Sequence, residues 1–139
     1  MYRFSGERKK VIPPKKALDS ASVVQRQLDA YNAHNLEALL ETYAEDAQQF
    51  EHPVKLLASG IAQLRERFAI RFAEPNLHAQ LLNRIVMGST VIDHELVTRT
   101  FPEGPGTIEL VATYEVLNGK IAKAWFITGA KTIKSVVTE

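Results

Sequence analysis

The sequence contains no cysteine among its 139 residues, and this absence removes several classes of protein at once. Without thiols there is no disulfide framework, no thiolate zinc site and no cysteine nucleophile. No apolar run approaches the roughly 20 residues that a transmembrane helix needs. Residues 1–16 lack the apolar core of a signal peptide, so we expect a cytoplasmic protein without a membrane partner.

Motifs of nucleotide binding and of serine hydrolases are also missing. We find no glycine-rich phosphate loop, no dinucleotide fingerprint and no Ser-His-Asp arrangement, and Gly104-Pro105-Gly106 fits a turn. The sequence has four histidines, and no third ligand stands at a suitable spacing from His52 and His94. We therefore expect neither a metal site nor another cofactor.

The composition that is present fits one globular domain, since 45% of the residues are hydrophobic and 24% are charged. The charge is unevenly placed. Residues 1–19 carry six basic and two acidic side chains, a net charge of +4, whereas the whole chain has +1. We divide the chain into a basic N-terminal arm (1–19) and a domain (20–139). We interpret the arm as solvated or packed on a neighbouring subunit, and we expect no nucleic-acid partner.

Residues 107–128 give the clearest structural signal, an antiparallel hairpin that turns at Asn118-Gly119. This dipeptide tolerates the positive φ values that a type I′ turn requires. Alternation gives the first strand one apolar and one mixed face. The apolar face consists of Ile108, Leu110, Ala112, Tyr114 and Val116, and the mixed face of Thr107, Glu109, Val111, Thr113 and Glu115. The second strand is apolar on both faces, so we expect helices to cover one and a partner chain or a cavity the other.

Helical patterns fill most of the chain before residue 75, and strand patterns follow. Ser22–Gln25 resembles a capping box that opens a first helix, Asn35 caps a second one, and a third begins near Ser59-Gly60 and stops at Pro75. Strands are predicted at residues 47–52, 77–87 and 91–101, with a weaker candidate at 131–138. This segregation predicts an α+β fold with helices packed across one face of a curved antiparallel sheet.

Several short motifs resemble those of ketosteroid isomerases and the SnoaL-like family. They are Val23–Gln27, Ala30–Ala33, Tyr43–Ala47, Glu51-His52-Pro53, Gly60 and Asn118–Ile121. The resemblance covers about residues 20–129. It implies a cystatin-like α+β cone, the fold shared with nuclear transport factor two, SnoaL-like polyketide cyclases and scytalone dehydratase. It also implies a small apolar ligand between sheet and helices, and a homodimer formed through the sheet's outer face.

The resemblance and the alternation disagree about residues 107–117. Alternation sends the mixed face of this strand to water, whereas the resemblance offers that face as the lining of the pocket. Both interpretations stay open at the level of sequence.

The catalytic residues of ketosteroid isomerase do not occur at the matching positions. That enzyme uses an aspartate base, with a tyrosine and a protonated aspartic acid as hydrogen-bond donors. By resemblance these positions correspond here to His52, Gln27 and a position near Thr113. All three residue types differ, so the reaction of that enzyme itself is not expected.

His52 and His94 are the candidate catalytic residues. An imidazole titrates near neutral pH, so His52 could act as the general base or acid, or be a rim histidine bonded to local backbone. His94 could help to position a substrate in the cone, or be a satisfied core histidine. Glu51 must point away from His52, and Asp93 and Glu95 must lie on the face opposite His94, solvated or at a dimer interface.

Five further residues are predicted to bind the substrate. Gln27 and Tyr31 lie one helical turn apart on the inward stripe of the first helix. Either of them, or Thr113, would help to position a substrate oxygen; alternatively, Tyr31 is an aromatic residue with its hydroxyl at the edge of the core. Phe68 and Phe126 complete the predicted substrate-binding residues. The predicted function is a cofactor-independent isomerase, cyclase or dehydratase. The alternative is a non-catalytic ligand-binding or protein-interaction module, which a cone filled by aromatic rings would favour.

Overall fold

A computed structural model of the chain describes residues 19–134. The helices are α1 (Ser20–Asn32), α2 (Leu36–Leu40) and α3 (Ile61–Phe72). The strands are β1 (Tyr43–Glu51), β2 (Lys55–Ser59), β3 (His78–Met87), β4 (Thr90–Phe101), β5 (Gly104–Leu117) and β6 (Lys120–Ile133). The predicted α+β class is confirmed. Residues 1–18 of the basic arm and residues 135–139 lie outside the described residues, and with them half of the weak strand predicted at 131–138.

Side-chain caps set the first two helix starts. The Asp19 carboxylate accepts a hydrogen bond from the Ser22 amide at 3.1 Å, so α1 begins three residues before the predicted start. Asn35 caps α2 as predicted and accepts from the Ala38 amide at 3.1 Å. α2 ends at Leu40 and Tyr43 already begins β1, because the Ile121 amide donates to the Thr42 carbonyl and ties this segment to the sheet.

The six strands form one sheet in the order β2-β1-β6-β5-β4-β3. Neighbouring strands are antiparallel except β1 and β6, which are parallel. The sheet is therefore mixed, not purely antiparallel as expected. The first strand lies beside the last one instead of beside β3. The sequence prediction also missed β2, because Pro53 marks a turn between two strands and not the end of the sheet segment.

The predicted hairpin is confirmed as β5 and β6, with φ of 54° at Asn118 and 76° at Gly119. A bulge close to the turn changes the faces of the second strand. Val116 pairs with Ile121 but Glu115 pairs with Lys123, so Ala122 is an additional residue. Ile121 therefore shares the inner face with Ala124 and Phe126, whereas simple alternation had grouped it with Trp125.

The apolar face of β5 packs towards the helices, as alternation predicts. Ala112 is fully buried and Tyr114 is 3% exposed, in a core shared with Val24 of α1 and Leu64 of α3. The mixed face, which includes Thr113, is the outer side of the sheet. The outer face of β5 therefore cannot line a space between sheet and helices.

Leu64→Ala tests the orientation of α3. Leu64 is fully buried, whereas Ile70 on the same helix is 74% exposed. We expect Leu64→Ala to lower the free energy of unfolding by about 2–5 kcal/mol, because it removes packed atoms and leaves a cavity. The matched variant Ile70→Ala should change it by less than about 0.5 kcal/mol. Urea unfolding measures both, and equal losses would contradict this orientation.

Candidate functional site

A cavity of about 260 Å³ lies between α3, β2 and the inner face of the sheet. The side chains around it fall into two groups. The uncharged group consists of Leu57, Val97, Ile108, Leu110, Phe126 and Thr128, and the charged group of Glu51, Arg67, Arg71 and Arg99. A ligand here would meet an apolar wall on the sheet side and charged groups from α3, β1 and β4.

Two carboxyl groups are buried on the same inner face of β4. Asp93 is fully buried and Glu95 is 4% exposed. Glu95 pairs across the sheet with Leu110, and the next inward residue, Val97, pairs with Ile108. Val97, Ile108 and Leu110 all line the cavity, so Glu95 lies directly beside the cavity lining on the inner face of the sheet.

The two carboxyl groups have different partners. Arg84 of β3 donates to Asp93 from Nε to Oδ1 at 2.7 Å and from Nη2 to Oδ2 at 2.9 Å. Its Nη1 also donates to Oε1 of Gln25 at 2.9 Å. Among residues 19–134, Glu95 forms no hydrogen bond and no ion pair with another side chain. Asp93 is therefore a buried carboxylate with a counter-ion, whereas Glu95 is a buried carboxyl group that has none within residues 19–134.

The surroundings of Glu95 disfavour its ionised form. Burial raises the pKa of Glu95 to about 7, the neighbouring Asp93 carboxylate adds to the rise, and Arg84 opposes it. A carboxyl group with this pKa exists in both forms near neutral pH. It can therefore both accept and donate a proton.

A buried polar network lies beside these carboxyl groups. Nε2 of Gln27 and Nε2 of Gln49 each donate to the Tyr43 hydroxyl at 3.4 Å. The Tyr114 hydroxyl donates to Oε1 of Gln27 at 3.5 Å. Burial raises the pKa of both tyrosines, so their hydroxyls stay neutral. The interior of the cone is therefore polar at its centre as well as apolar at its wall.

Residues 24–124 match the family model of the SnoaL-like domain, which is most of the chain. The chain belongs to the SnoaL-like domain family. No curated protein sequence matches it significantly.

Solved structures show the same fold at low sequence identity. A cystatin-fold protein from Novosphingobium aromaticivorans superposes with a TM-score of 0.73 at 23% identity, over 79% of this chain and 98% of that one. A candidate polyketide cyclase from Sinorhizobium meliloti superposes with a TM-score of 0.63 at 24% sequence identity, over 76% of this chain and 93% of that one. A hypothetical protein with a ketosteroid isomerase-like fold from Catenulispora acidiphila, in complex with trimethylamine, superposes with a TM-score of 0.66 at 17% identity, over 75% of this chain and 82% of that one. The expected SnoaL-like cone fold is thereby confirmed.

His52 of this SnoaL-like domain lies in the turn after β1 and is exposed. Its backbone amide donates to the Phe126 carbonyl at 2.9 Å. Glu51 lines the cavity and His52 is not among the lining residues of the described chain. The two neighbours point in different directions, as strand alternation predicts.

The expectation that His94 projects into the cone is wrong. β4 turns Asp93 and Glu95 inwards, so His94 between them points to the outer face. There its Nε2 lies 2.6 Å from Oε2 of Glu109. For the same reason the expectation that Asp93 and Glu95 are solvated or at an interface is wrong.

The other predicted substrate-binding residues are divided between the two sides of the sheet. Gln27 is buried in the polar network, and Tyr31 packs edge-on against Phe68, with 6.3 Å between ring centroids. Phe126 lines the cavity, whereas Phe68 belongs to the core. Thr113 lies on the outer face opposite Ile92 and Trp125, so its predicted place in the pocket is wrong.

Sequence reasoning missed the charged side chains of the cavity. Arg67 and Arg71 stand four residues apart and therefore share a face of α3 with the buried Phe68 close by. Asp93 and Glu95 share one face of β4 with Val91 and Val97, and an acidic pair on an otherwise apolar face was the available signal. Among residues 19–134, no group of three or more His, Asp or Glu is placed to hold a metal ion. No helix in that range is long and apolar enough to cross a membrane.

Glu95→Gln tests the buried carboxyl group through the pH dependence of stability. The folded protein holds the Glu95 proton more tightly than the unfolded chain, where the ordinary pKa is 4.5. The contribution of Glu95 to stability is therefore present below about pH 4.5 and is lost as the pH rises through about 7, by roughly 3 kcal/mol in total. Glutamine does not ionise, so the variant should gain stability relative to the natural protein across this window.

Urea unfolding at about pH 5 and about pH 8 measures this difference. Glu66→Gln, which removes an exposed carboxyl group of α3, is the matched control and should follow the natural protein. A difference between Glu95→Gln and the natural protein that is the same at both pH values would contradict the assignment.

Proposed function

We propose that this SnoaL-like protein binds a small organic molecule in its cavity and catalyses proton transfer on it without a cofactor, as an isomerase, cyclase or dehydratase does. The observation that supports the proposal is Glu95, a buried carboxyl group with no side-chain partner among the described residues, next to the cavity wall. Such groups are typical of catalytic acids and bases because their pKa lies near the working pH. The trimethylamine complex of the Catenulispora protein supports binding of small organic molecules by this fold.

In the proposed reaction Glu95 takes a proton from a carbon next to a substrate carbonyl. The electron pair of the C–H bond moves onto the carbonyl oxygen and gives an enolate. The protonated Glu95 then returns the proton. In an isomerisation the proton goes to a different atom of the substrate. In a ring closure the enolate carbon bonds to a second carbonyl carbon of the same molecule, and the proton goes to the oxygen whose C=O π bond breaks. In a dehydration the carbonyl re-forms as a β-hydroxyl group leaves, and the proton leaves with it as water. No oxidant or reductant is needed, because the proton is the only species that moves between protein and substrate.

Tyr31 is the proposed donor to the enolate oxygen. Burial raises the pKa of Tyr31, although the nearby Arg71 opposes this, so its hydroxyl keeps its proton. The Tyr31 hydroxyl is close enough to both Glu95 and Arg71 for their charges to act on it. Tyr31 therefore lies near both the proposed base and a cavity arginine, and in the proposed reaction its neutral hydroxyl stabilises the developing negative charge.

The role of His52 in proton transfer remains a prediction. We prefer Glu95 because its carboxyl group is buried next to the cavity wall, whereas the His52 side chain is exposed on the turn after β1. One measurement compares the two residues directly.

Deuterium exchange next to a carbonyl is the test of catalysis. The natural protein should accelerate exchange into at least one member of a panel of small ketones and keto acids in D₂O, followed by proton NMR. Glu95→Gln should lower that rate by about 100-fold or more, as loss of a general base does. His52→Ala and the control Glu66→Gln should keep it. Loss in His52→Ala with retention in Glu95→Gln would return the role to His52.

The alternative function is a non-catalytic ligand-binding or interaction module. The aromatic cluster on the helical side favours it, since Tyr31, Tyr43, Phe68 and Phe72 lie within about 6 Å of one another as ring pairs and fill space that a larger ligand would need. Absence of exchange across the whole panel with the natural protein would support this alternative.

We also propose that two copies associate through the outer face of the sheet. Phe50 and Trp125 stack there at 5.8 Å, close to Ile127, which is 46% exposed. Partly exposed apolar side chains over several strands form a patch typical of an interaction site. Val111 lies on this face between His94 of β4 and Ile127 of β6.

Val111→Glu tests this association. A charge in the middle of the outer face should convert a dimer into monomers, because an unpaired carboxylate is costly to bury. Ile70→Glu, at an exposed position of α3 on the other side of the molecule, should leave the dimer intact. Light scattering after size-exclusion chromatography gives the mass. A natural protein that is monomeric would contradict the proposal.

A further inference from the structure

Three guanidinium groups line the same cavity, and they come from two elements. Arg67 and Arg71 lie one turn apart on α3, and Arg99 lies on the inner face of β4 opposite them. Glu51 is the one acidic side chain among the described lining residues, and it lies 3.8 Å from Lys55. Glu74, after α3, and Glu95, which is partly protonated near neutral pH, lie outside the lining. The lining of the cavity therefore has an excess of positive charge.

The guanidinium group of Arg99 already has a carboxylate partner, Glu74. Its Nε donates to Oε1 of Glu74 at 3.1 Å and its Nη2 to Oε2 at 2.6 Å, and the Thr100 amide adds a bond at 3.0 Å. Although burial disfavours the charge, Arg99 and Thr100 hold the pKa of Glu74 below its ordinary value. The Glu74 carboxylate is thus already paired with Arg99, and its Oε2 lies 3.8 Å from Nε of Arg71.

Arg67 has no acidic partner among residues 19–134. Its Nε donates to Oε1 of Gln49 at 3.1 Å, which is a neutral amide. Burial and the charges of Arg71 and Arg99 lower the pKa of Arg67, which means that the three cations repel one another. An anion between Arg67 and Arg71 would relieve this repulsion. A planar guanidinium also matches a carboxylate with two parallel hydrogen bonds.

We propose that the ligand of this cavity is a small organic acid, whose carboxylate binds Arg67 and Arg71 and whose apolar body lies on Val97, Leu110 and Phe126. This inference rests on the proposed ligand-binding function and names its substrate class. The cavity of about 260 Å³ equals the liquid volume of about nine water molecules, enough for one or two fused rings. The apolar wall and the charged groups together select a molecule that has both parts.

The test compares an acid with its neutral isostere. The probes are 2-naphthoate and 2-naphthamide, which share the ring system and differ in charge, measured by isothermal titration calorimetry with the full chain. We expect the natural protein to bind the acid at least tenfold more tightly than the amide, a difference of about 1.4 kcal/mol. Added sodium chloride should weaken binding of the acid more than binding of the amide, because salt screens the charge interaction.

Arginine variants connect the preference to the cavity. Arg67→Gln should abolish the preference for the acid. Arg67→Lys should keep part of this preference, because lysine retains the positive charge but lacks the two parallel N–H donors of a guanidinium. Arg65→Gln is the matched control, since Arg65 lies on the same helix but is exposed and pairs with Glu37. Circular dichroism and melting temperature check that each variant is folded. If Arg67→Gln is unfolded, Arg71→Gln replaces it with the same expectation.

The outcomes separate this inference from the proposed function. Equal binding of acid and amide overturns the organic-acid assignment and leaves ligand binding in place. The assignment is also overturned if neither probe binds, or if the preference for the acid survives both Arg67→Gln and Arg71→Gln. Tighter binding of 2-naphthyl phosphate than of 2-naphthoate overturns it as well. Selective binding of the acid without any deuterium exchange upholds the substrate class and removes the catalytic proposal.

Discussion

The candidate site depends on an unequal division of charge on β4. Asp93 and Glu95 occupy successive inward positions of one strand, and in the described part of the chain one guanidinium, that of Arg84, is placed to balance them. Arg84 binds Asp93 with both arms of its fork, which leaves Glu95 as a buried carboxyl group without a counter-ion among residues 19–134. A buried carboxyl group responds to this situation by keeping its proton, and its pKa rises to about 7. The protein thus holds a protonatable group at neutral pH beside its cavity.

The cavity and its charges follow from the way α3 crosses the sheet. Leu64 and Phe68 anchor the helix in the core, and the same helical spacing brings Arg67 and Arg71 over the open part of the inner face. The sheet supplies apolar side chains below them. The two arginines of α3 line this cavity, and Glu95, the proposed proton-transfer residue, occupies the adjoining inward position of β4. This combination links the proposed chemistry to the proposed class of ligand.

Much of the fold could be predicted from local pattern, because the relevant information is local. Asn118-Gly119 specifies its turn through backbone conformation, and alternation in β5 correctly sends Tyr114 inwards and Thr113 outwards. The parallel pairing of β1 with β6 depends on contacts between the two ends of the domain, which no short window contains. The bulge at Ala122 likewise changes the face of every residue before it in β6, and its position depends on the partner strand.

The candidate site could be predicted only in part, for a related reason. Alternation correctly separated His94 from Glu95, but deciding which of the two faces was inside required the helices. Residue chemistry favoured histidine, whose ordinary pKa is near neutrality, whereas the structure shifts an acid into that range by burial. A pKa produced by burial is a tertiary property, and so is the absence of an acidic partner for Arg67 within residues 19–134.

Carbon-13 NMR of the Glu95 side chain tests the central claim most directly. The chemical shift of its carboxyl carbon, assigned by comparison with Glu95→Gln, reports its ionisation as the pH is varied. The account predicts a midpoint at about 7. A midpoint at about 4.5, the ordinary value for glutamate, would show that the group is solvated or paired and would contradict the proposed role.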